Sequence, residues 1–171
     1  NNVIEHKTST KDRQHVFGDN ELQKKIDNKL SKSVLPELKK IFYFTPTHRE
    51  NYKICSYDSI TSGRFHSHRD TVHPYQYRKY AMSLLLNDDY VGGELYLSEY
   101  DMKIKPKANT AIIFPGISSH QVLKVEKGSR MAMITFFTDN DVRKHDKMKA
   151  NFYKDKDVEF TKIYPENKKL V

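Results

Sequence analysis

Two patterns of hydrophobic and polar positions divide this chain. Over about residues 20–43, Leu22, Ile26 and Leu30 recur four apart behind a polar Gly-Asp-Asn start, and Leu35, Leu38, Ile41 and Phe42 resume the spacing after a break near Pro36. Apolar residues three and four apart share a helix face, so a helical part at about 18–45 is expected to hold two helices packed as a buttress. From Tyr52 the pattern shortens to the runs YKICSY, RFHSH, YAMSLLL, GELYLSEY, TAIIFPG, HQVLKV and RMAMITFF, with turn residues between them. Alternating β-branched and aromatic runs at this spacing predict an all-β barrel or sandwich over about 51–138. NDDYVGGE and EKGSR supply glycine where a turn needs positive φ. After Asp139 the pattern dissolves, and a short helix followed by an extended tail is expected over 139–171. There is no internal repeat and no low-complexity linker, so the 171 residues are expected to form one domain.

Composition changes this picture in two ways. The single cysteine, Cys55, excludes an intramolecular disulfide and a cysteine-rich zinc site. No apolar run approaches the roughly 20 residues of a membrane helix, and the polar start NNVIEHKTST has no signal-peptide core, so a cytoplasmic setting without a membrane partner is expected. The net charge of +8 invites a nucleic-acid reading. Its distribution weakens that reading: residues 51–142 carry eleven Lys/Arg against ten Asp/Glu, and the excess sits in the flanks. A phosphate-binding groove needs clustered cations with stacking aromatics beside the active region. Nucleic acid is therefore not the expected partner.

The run FHSHRD, residues 65–70, carries the candidate chemistry. In a straight strand His66, His68 and Asp70 would share a face. A cupin-like site would use His66 and His68 and then want a glutamate, but position 72 is valine and position 73 histidine. The other reading takes His68 and Asp70 as two ligands of a facial triad, which needs a second histidine from a distant strand. GISSHQV supplies His120.

The H-x-D at 68–70, then RKYAMSLLLNDDYVGGELYL, then IKPKANTAIIFPGISSHQVLKVEKGSRMAMITFF resembles the core of iron(II)- and 2-oxoglutarate-dependent dioxygenases of the prolyl 4-hydroxylase-like superfamily, over roughly residues 52–138. The likeness lies in ordered elements: an H-x-D, a strand ending in LND, a GGE turn, an AIIFPG hairpin, a histidine opening the next strand, and an arginine ten residues after it. It implies a mainly β fold, a distorted double-stranded β-helix or jelly roll, with the metal between its two sheets. It also implies iron(II) bound by His68, Asp70 and His120, with 2-oxoglutarate as cosubstrate, dioxygen as the second substrate and ascorbate as an auxiliary reductant. Two imidazoles and one carboxylate on one face of an octahedral metal leave three positions open for a bidentate 2-oxo acid and dioxygen. A triad without a carboxylate would leave room for a halide, as in related halogenases, so Asp70 points to hydroxylation.

By its place in the pattern Arg130 would pair with the distal carboxylate of 2-oxoglutarate through parallel charge-assisted hydrogen bonds. Collagen-type enzymes have lysine there, so the resemblance is closer to bacterial and viral relatives. Tyr57 matches a tyrosine that bonds the cosubstrate. Ser83 matches a Thr or Ser position, and alternation places it with Ala81 and Leu85. His66 is not expected to be a ligand. TVHPYQYRKY, with His73, Tyr75, Tyr77 and Arg78, reads either as a surface loop or as a substrate lid, with Arg78 paired to a carboxylate or solvated. The NDDY acids read as a solvated turn. The resemblance implies hydroxylation of an unactivated C–H bond, with proline in a peptide or protein as the leading substrate. The alternatives are an AlkB-like nucleic-acid demethylase, whose second arginine would fall where Phe136 stands, and a non-catalytic β-helix binding module.

Overall fold

The computed structural model describes residues 13–16, 20–139 and 168–169. The expected helix and tail after Asp139 therefore lie outside the described residues, apart from one two-residue strand. The described residues include two helices, α1 (Asn20–Ser33) and α2 (Leu35–Phe42). The break between them falls at Val34, with Pro36 inside the first turn of α2, where its missing N–H has no intrahelical partner to lose.

The strands are β1 (Arg13–Val16), β2 (His48–Arg49), β3 (Lys53–Asp58), β4 (Phe65–His68), β5 (Tyr80–Leu85), β6 (Val91–Gly92), β7 (Leu95–Leu97), β8 (Met102–Ile104), β9 (Ala111–Pro115), β10 (His120–Val122), β11 (Val125–Lys127), β12 (Ser129–Thr138) and β13 (Lys168–Lys169). All the pairings are antiparallel. In the larger sheet β12 pairs with β3 on one edge, Arg130 opposite Tyr57 and Ile134 opposite Lys53, and with β5 on the other. β9 adds to β5 and β1 to β3, while β2 pairs with the C-terminal end of β12 and carries β13 on its other side. The smaller sheet runs β4-β10-β7-β8, and β6 with β11 forms a two-stranded ribbon. Two facing antiparallel sheets joined this way are the expected jelly roll.

Period-two alternation decides which residues face which layer. On β5, Met82 turns outward into a core with Leu30 and Leu38 of the helices and Val34 between them, joined by Tyr52, Met133 and Phe137. Its neighbours Ala81 and Leu85 turn inward between the sheets, where Phe114, Phe136, Val122 and Ala132 pack. Burial of a side chain such as Leu38 contributes roughly 1.5–3 kcal/mol, so the helices do brace the large sheet. Their apolar faces are used unevenly, however: Leu22 and Ile41 are exposed. The first half of α1 meets the sheet through buried Gln23 and through Asp27, which accepts two hydrogen bonds from the fully buried Arg49 at 2.5 and 2.7 Å and one from the Tyr52 hydroxyl. An ion pair occupies the contact that periodicity assigns to leucine. Among the described residues no helix is long and apolar enough to cross a membrane.

Candidate metal and cosubstrate site

β4 and β10 are neighbours in the small sheet, with His120 opposite His68. Their rings lie 4.2 Å apart, flanked by Phe65 on one side and Phe114 on the other. The strand ends at His68, so Asp70 is not delivered by strand alternation. A turn carries it back: the N–H groups of Asp70 and Thr71 both donate to the Gly116 carbonyl, at 2.8 and 2.9 Å. Gly116 is glycine for a spatial reason, since a Cβ there would sit 2.6 Å from Thr71 Oγ1 and 2.8 Å from the Arg78 carbonyl. The result is a buried carboxylate whose oxygens stand 3.6 Å from His68 Nε2 and 3.4 Å from His120 Nε2. One donor atom from each of the three residues lies within 4.8 Å of the others.

Both imidazoles are oriented through their other nitrogen. His68 Nδ1 donates to the His66 carbonyl at 2.8 Å and His120 Nδ1 to the Ser118 carbonyl at 3.0 Å, which leaves each Nε2 lone pair facing Asp70. His66 thus acts through its backbone, with its side chain exposed. Burial, chiefly, pushes the His120 imidazole's pKa down, as a neutral metal ligand requires, against the opposing pull of the Asp70 charge. Two imidazoles and one carboxylate on one side of a cavity form a donor set suited to iron(II).

The cavity holds about 350 Å³ and includes these three residues together with Arg130, Tyr57 and Ser83. Arg130 is 2% exposed, and its Nε and Nη1 have no hydrogen-bond partner. A buried guanidinium with two orphaned donors is costly unless an anion joins it, so the site fits the distal carboxylate of a 2-oxo acid. The GGE turn makes room for it: Gly93 has φ +66°, and a Cβ there would come within 3.2 Å of Arg130 Cδ. Tyr57 faces Arg130 across the β3–β12 pairing, with the guanidinium carbon 5.4 Å from its ring centre. Its phenol is kept protonated mainly by burial, with the Arg130 charge opposing it. Ser83 is buried on the inward face of β5 with Ala81 and Leu85.

The TVHPYQYRKY segment divides residue by residue. Tyr75 lines the cavity. Tyr77 is 2% exposed and donates to Glu50 Oε1 at 2.8 Å, so it belongs to the core rather than to a lid. His73 is exposed. Arg78 is buried and paired: its Nε and Nη2 donate to the two oxygens of Glu50 at 2.6 and 2.9 Å, and its guanidinium lies between the rings of Tyr75 and Phe136. Burial alone would raise the Glu50 carboxyl, but Arg78, helped by Lys53 and the Tyr77 hydroxyl, outweighs it and brings the pKa down to about 2. Sequence reasoning misses Glu50 and Lys53, because neither stands in a motif and their partners are set by the fold. In the NDDY turn, Asp88 and Asp89 accept hydrogen bonds from Ala108 N–H and the Asn87 side chain, in keeping with a turn role.

A jelly roll with H-x-D leaving one strand, a histidine opening its neighbour and a buried arginine in the same cavity defines the class of facial-triad, metal-dependent oxygenases. A family model described as the 2OG-Fe(II) oxygenase superfamily matches residues 52–138, and the chain belongs to that family. Human prolyl 3-hydroxylase 2 is 41% identical over 71 residues, which are 37% of this chain and 10% of the human protein. A PKHD-type hydroxylase of Psychrobacter sp. is 43% identical over 60 residues, 33% of this chain and 23% of that protein. These matches therefore span less than a quarter of either relative. The solved 2OG complex of the viral collagen prolyl hydroxylase from Paramecium Bursaria Chlorella virus-1 superposes with a TM-score of 0.61 at 20% identity, covering 76% of this chain and 79% of that one.

Proposed function

We propose that this chain is an iron(II)- and 2-oxoglutarate-dependent prolyl hydroxylase acting on proline within a peptide or protein. The observation that carries the catalytic part is the coincidence, in one cavity, of three converging metal donors and a buried arginine with two orphaned donors. In this reading His68, Asp70 and His120 hold the metal, and Arg130 anchors the distal carboxylate of the cosubstrate. Tyr57 and Ser83 line its path, and the aromatic walls keep bulk water out. Bound iron(II) supplies oxidative decarboxylation of 2-oxoglutarate by dioxygen, coupled to hydroxylation of a C–H bond.

The prolyl substrate is supported by the names of the relatives, prolyl 3-hydroxylase and collagen prolyl hydroxylase. Against a nucleic-acid demethylase, Phe136 stands where that family's second arginine would fall, and its ring lies under Arg78. A binding module without turnover has no chemical need for the intact donor set. The test incubates the iron-loaded protein with 2-oxoglutarate, with and without ascorbate, and proline-containing peptides, nucleosides or amino acids. Succinate release and a mass increase of one oxygen on proline are expected, with fragmentation assigning carbon 3 or 4. His120→Ala should abolish stoichiometric iron or manganese binding. Undiminished metal content in that variant, or hydroxylation confined to nucleosides, would overturn the corresponding half of the proposal.

A further inference from the structure

The cavity has a second charged end. β3 and β12 present their inward faces together, so Tyr57 lies opposite Arg130 and Lys53 opposite Ile134, four residues farther along the strand. That separation is about 13 Å at the rise of a β-strand. Lys53, Arg78, Tyr75 and Phe136 all line the cavity at this far end. The Thr71 hydroxyl, one residue past Asp70, donates to the Arg78 carbonyl at 2.5 Å, which sets this end beside the metal ligands.

The far end does not balance its charge. Among the described residues Glu50 is the carboxylate paired there, and it faces two cations, Arg78 and Lys53. Its oxygens already accept Arg78 at 2.6 and 2.9 Å and the Tyr77 hydroxyl at 2.8 Å. Lys53 Nζ stands farther off, 3.5 Å from Oε2, on a side chain only 18% exposed. Two cations against one carboxylate leave one positive charge over, partly withdrawn from water and facing the space a substrate enters. Burial works against a charged Lys53 and disfavours its ammonium form. An anion arriving in the cavity would relieve that cost.

We propose that this end is an anion subsite, in which Lys53 binds a carboxylate of the substrate while the target carbon lies over the metal ligands. This rests on the prolyl hydroxylase reading for the identity of the hydroxylated residue, but its own claim is the substrate's charge. The carboxylate has two sources: an acidic side chain flanking the proline, or the free carboxylate of a chain end or amino acid. Arg78 is committed to Glu50 and holds the wall, with Tyr75 stacked on its guanidinium at 4.1 Å. Lys53 is the group with charge to spare.

The test measures binding to protein loaded with manganese(II) and 2-oxoglutarate, using matched acid and neutral probes. Acetyl-Gly-Pro-Glu-amide is compared with its Gln counterpart, acetyl-Gly-Pro acid with its amide, and free proline with prolinamide. The same pairs with Ala in place of Pro complete the panel. At least one acid should bind about tenfold or more tightly than its neutral partner, as expected for a charge-assisted contact, and the pair showing the preference identifies the source. Lys53→Met should collapse that ratio towards one, and Lys53→Arg should largely retain it. Affinity for 2-oxoglutarate and the urea midpoint should hold in Lys53→Met, because the variant keeps an unbranched side chain of similar length and leaves Glu50–Arg78 a neutral pair. Ratios of one throughout the wild-type panel, or a preference that survives Lys53→Met, would overturn the subsite. If acid preference appears equally in the Ala and Pro probes and no proline is hydroxylated, the prolyl reading fails while the subsite stands.

Discussion

The two buried arginines of the cavity, Arg130 and Arg78, share a residue type and differ in everything that decides their role. Arg78 is satisfied from within: Glu50 takes two of its donors, and two aromatic rings cover its faces. Arg130 keeps Nε and Nη1 without a partner while contacting Tyr57 and hydrogen bonding to Tyr90. A protein that buries a charge and pairs it has built structure. One that buries a charge and leaves donors open has built a binding site, at a cost that a ligand recovers. The separation lies in the partners and not in burial, since both side chains are nearly inaccessible.

The contrast breaks most sharply at Glu50. Glu50→Ala leaves Arg78 buried without its counter-ion, and a loss of about 3–5 kcal/mol in unfolding free energy is expected from urea denaturation. The same pair predicts a pH dependence. Because the folded Glu50 carboxyl lies at about 2, below its ordinary 4.5, its contribution is fully present above pH 4.5 and is lost as pH falls through that window. Glu50→Gln should flatten that part of the stability profile, and an unaltered acid limb would assign acid unfolding to other carboxylates.

Arg130→Met should do the reverse. Affinity for 2-oxoglutarate should weaken by about 2–5 kcal/mol, with metal binding spared. The urea midpoint should be unchanged or higher, because a cation with orphaned donors has been removed from the interior. A variant that binds 2-oxoglutarate like the parent would transfer the anchor to another cation.

Smaller effects sharpen the comparison within one loop. Tyr77→Phe removes a hydrogen bond to a buried carboxylate and should cost about 1.5–3 kcal/mol of stability, with the cavity walls intact. Tyr75→Ala should cost less than that in stability. It should instead lower coupled turnover of a proline-containing peptide relative to uncoupled 2-oxoglutarate consumption. Equal behaviour of the two variants would mean that the loop does not divide into a core half and a cavity half.

Much of this molecule is legible along the chain because strands and helices write their burial as a period. The inward set of β5, Ala81, Ser83 and Leu85, follows from alternation, and so does the outward turn of Met82 toward the helices. His68, Asp70, His120 and Arg130 stand out because their residue types and order survive in a linear text, and the positive-φ glycines at 92, 93 and 128 mark turns for the same reason. What only the tertiary structure decides is pairing between residues that share no local pattern. The Gly116 carbonyl holds Asp70 from 46 positions away, where strand alternation alone would have been the wrong reason for its placement. Glu50 reaches Arg78 across 28 positions and claims Tyr77 from the expected lid, and Asp27 claims Arg49 where periodicity offers Leu22. Such pairs carry no sequence period, because the chain returns to them through sheet topology. Electrostatics and hydrogen-bond satisfaction then settle which buried charge is structural and which awaits a ligand.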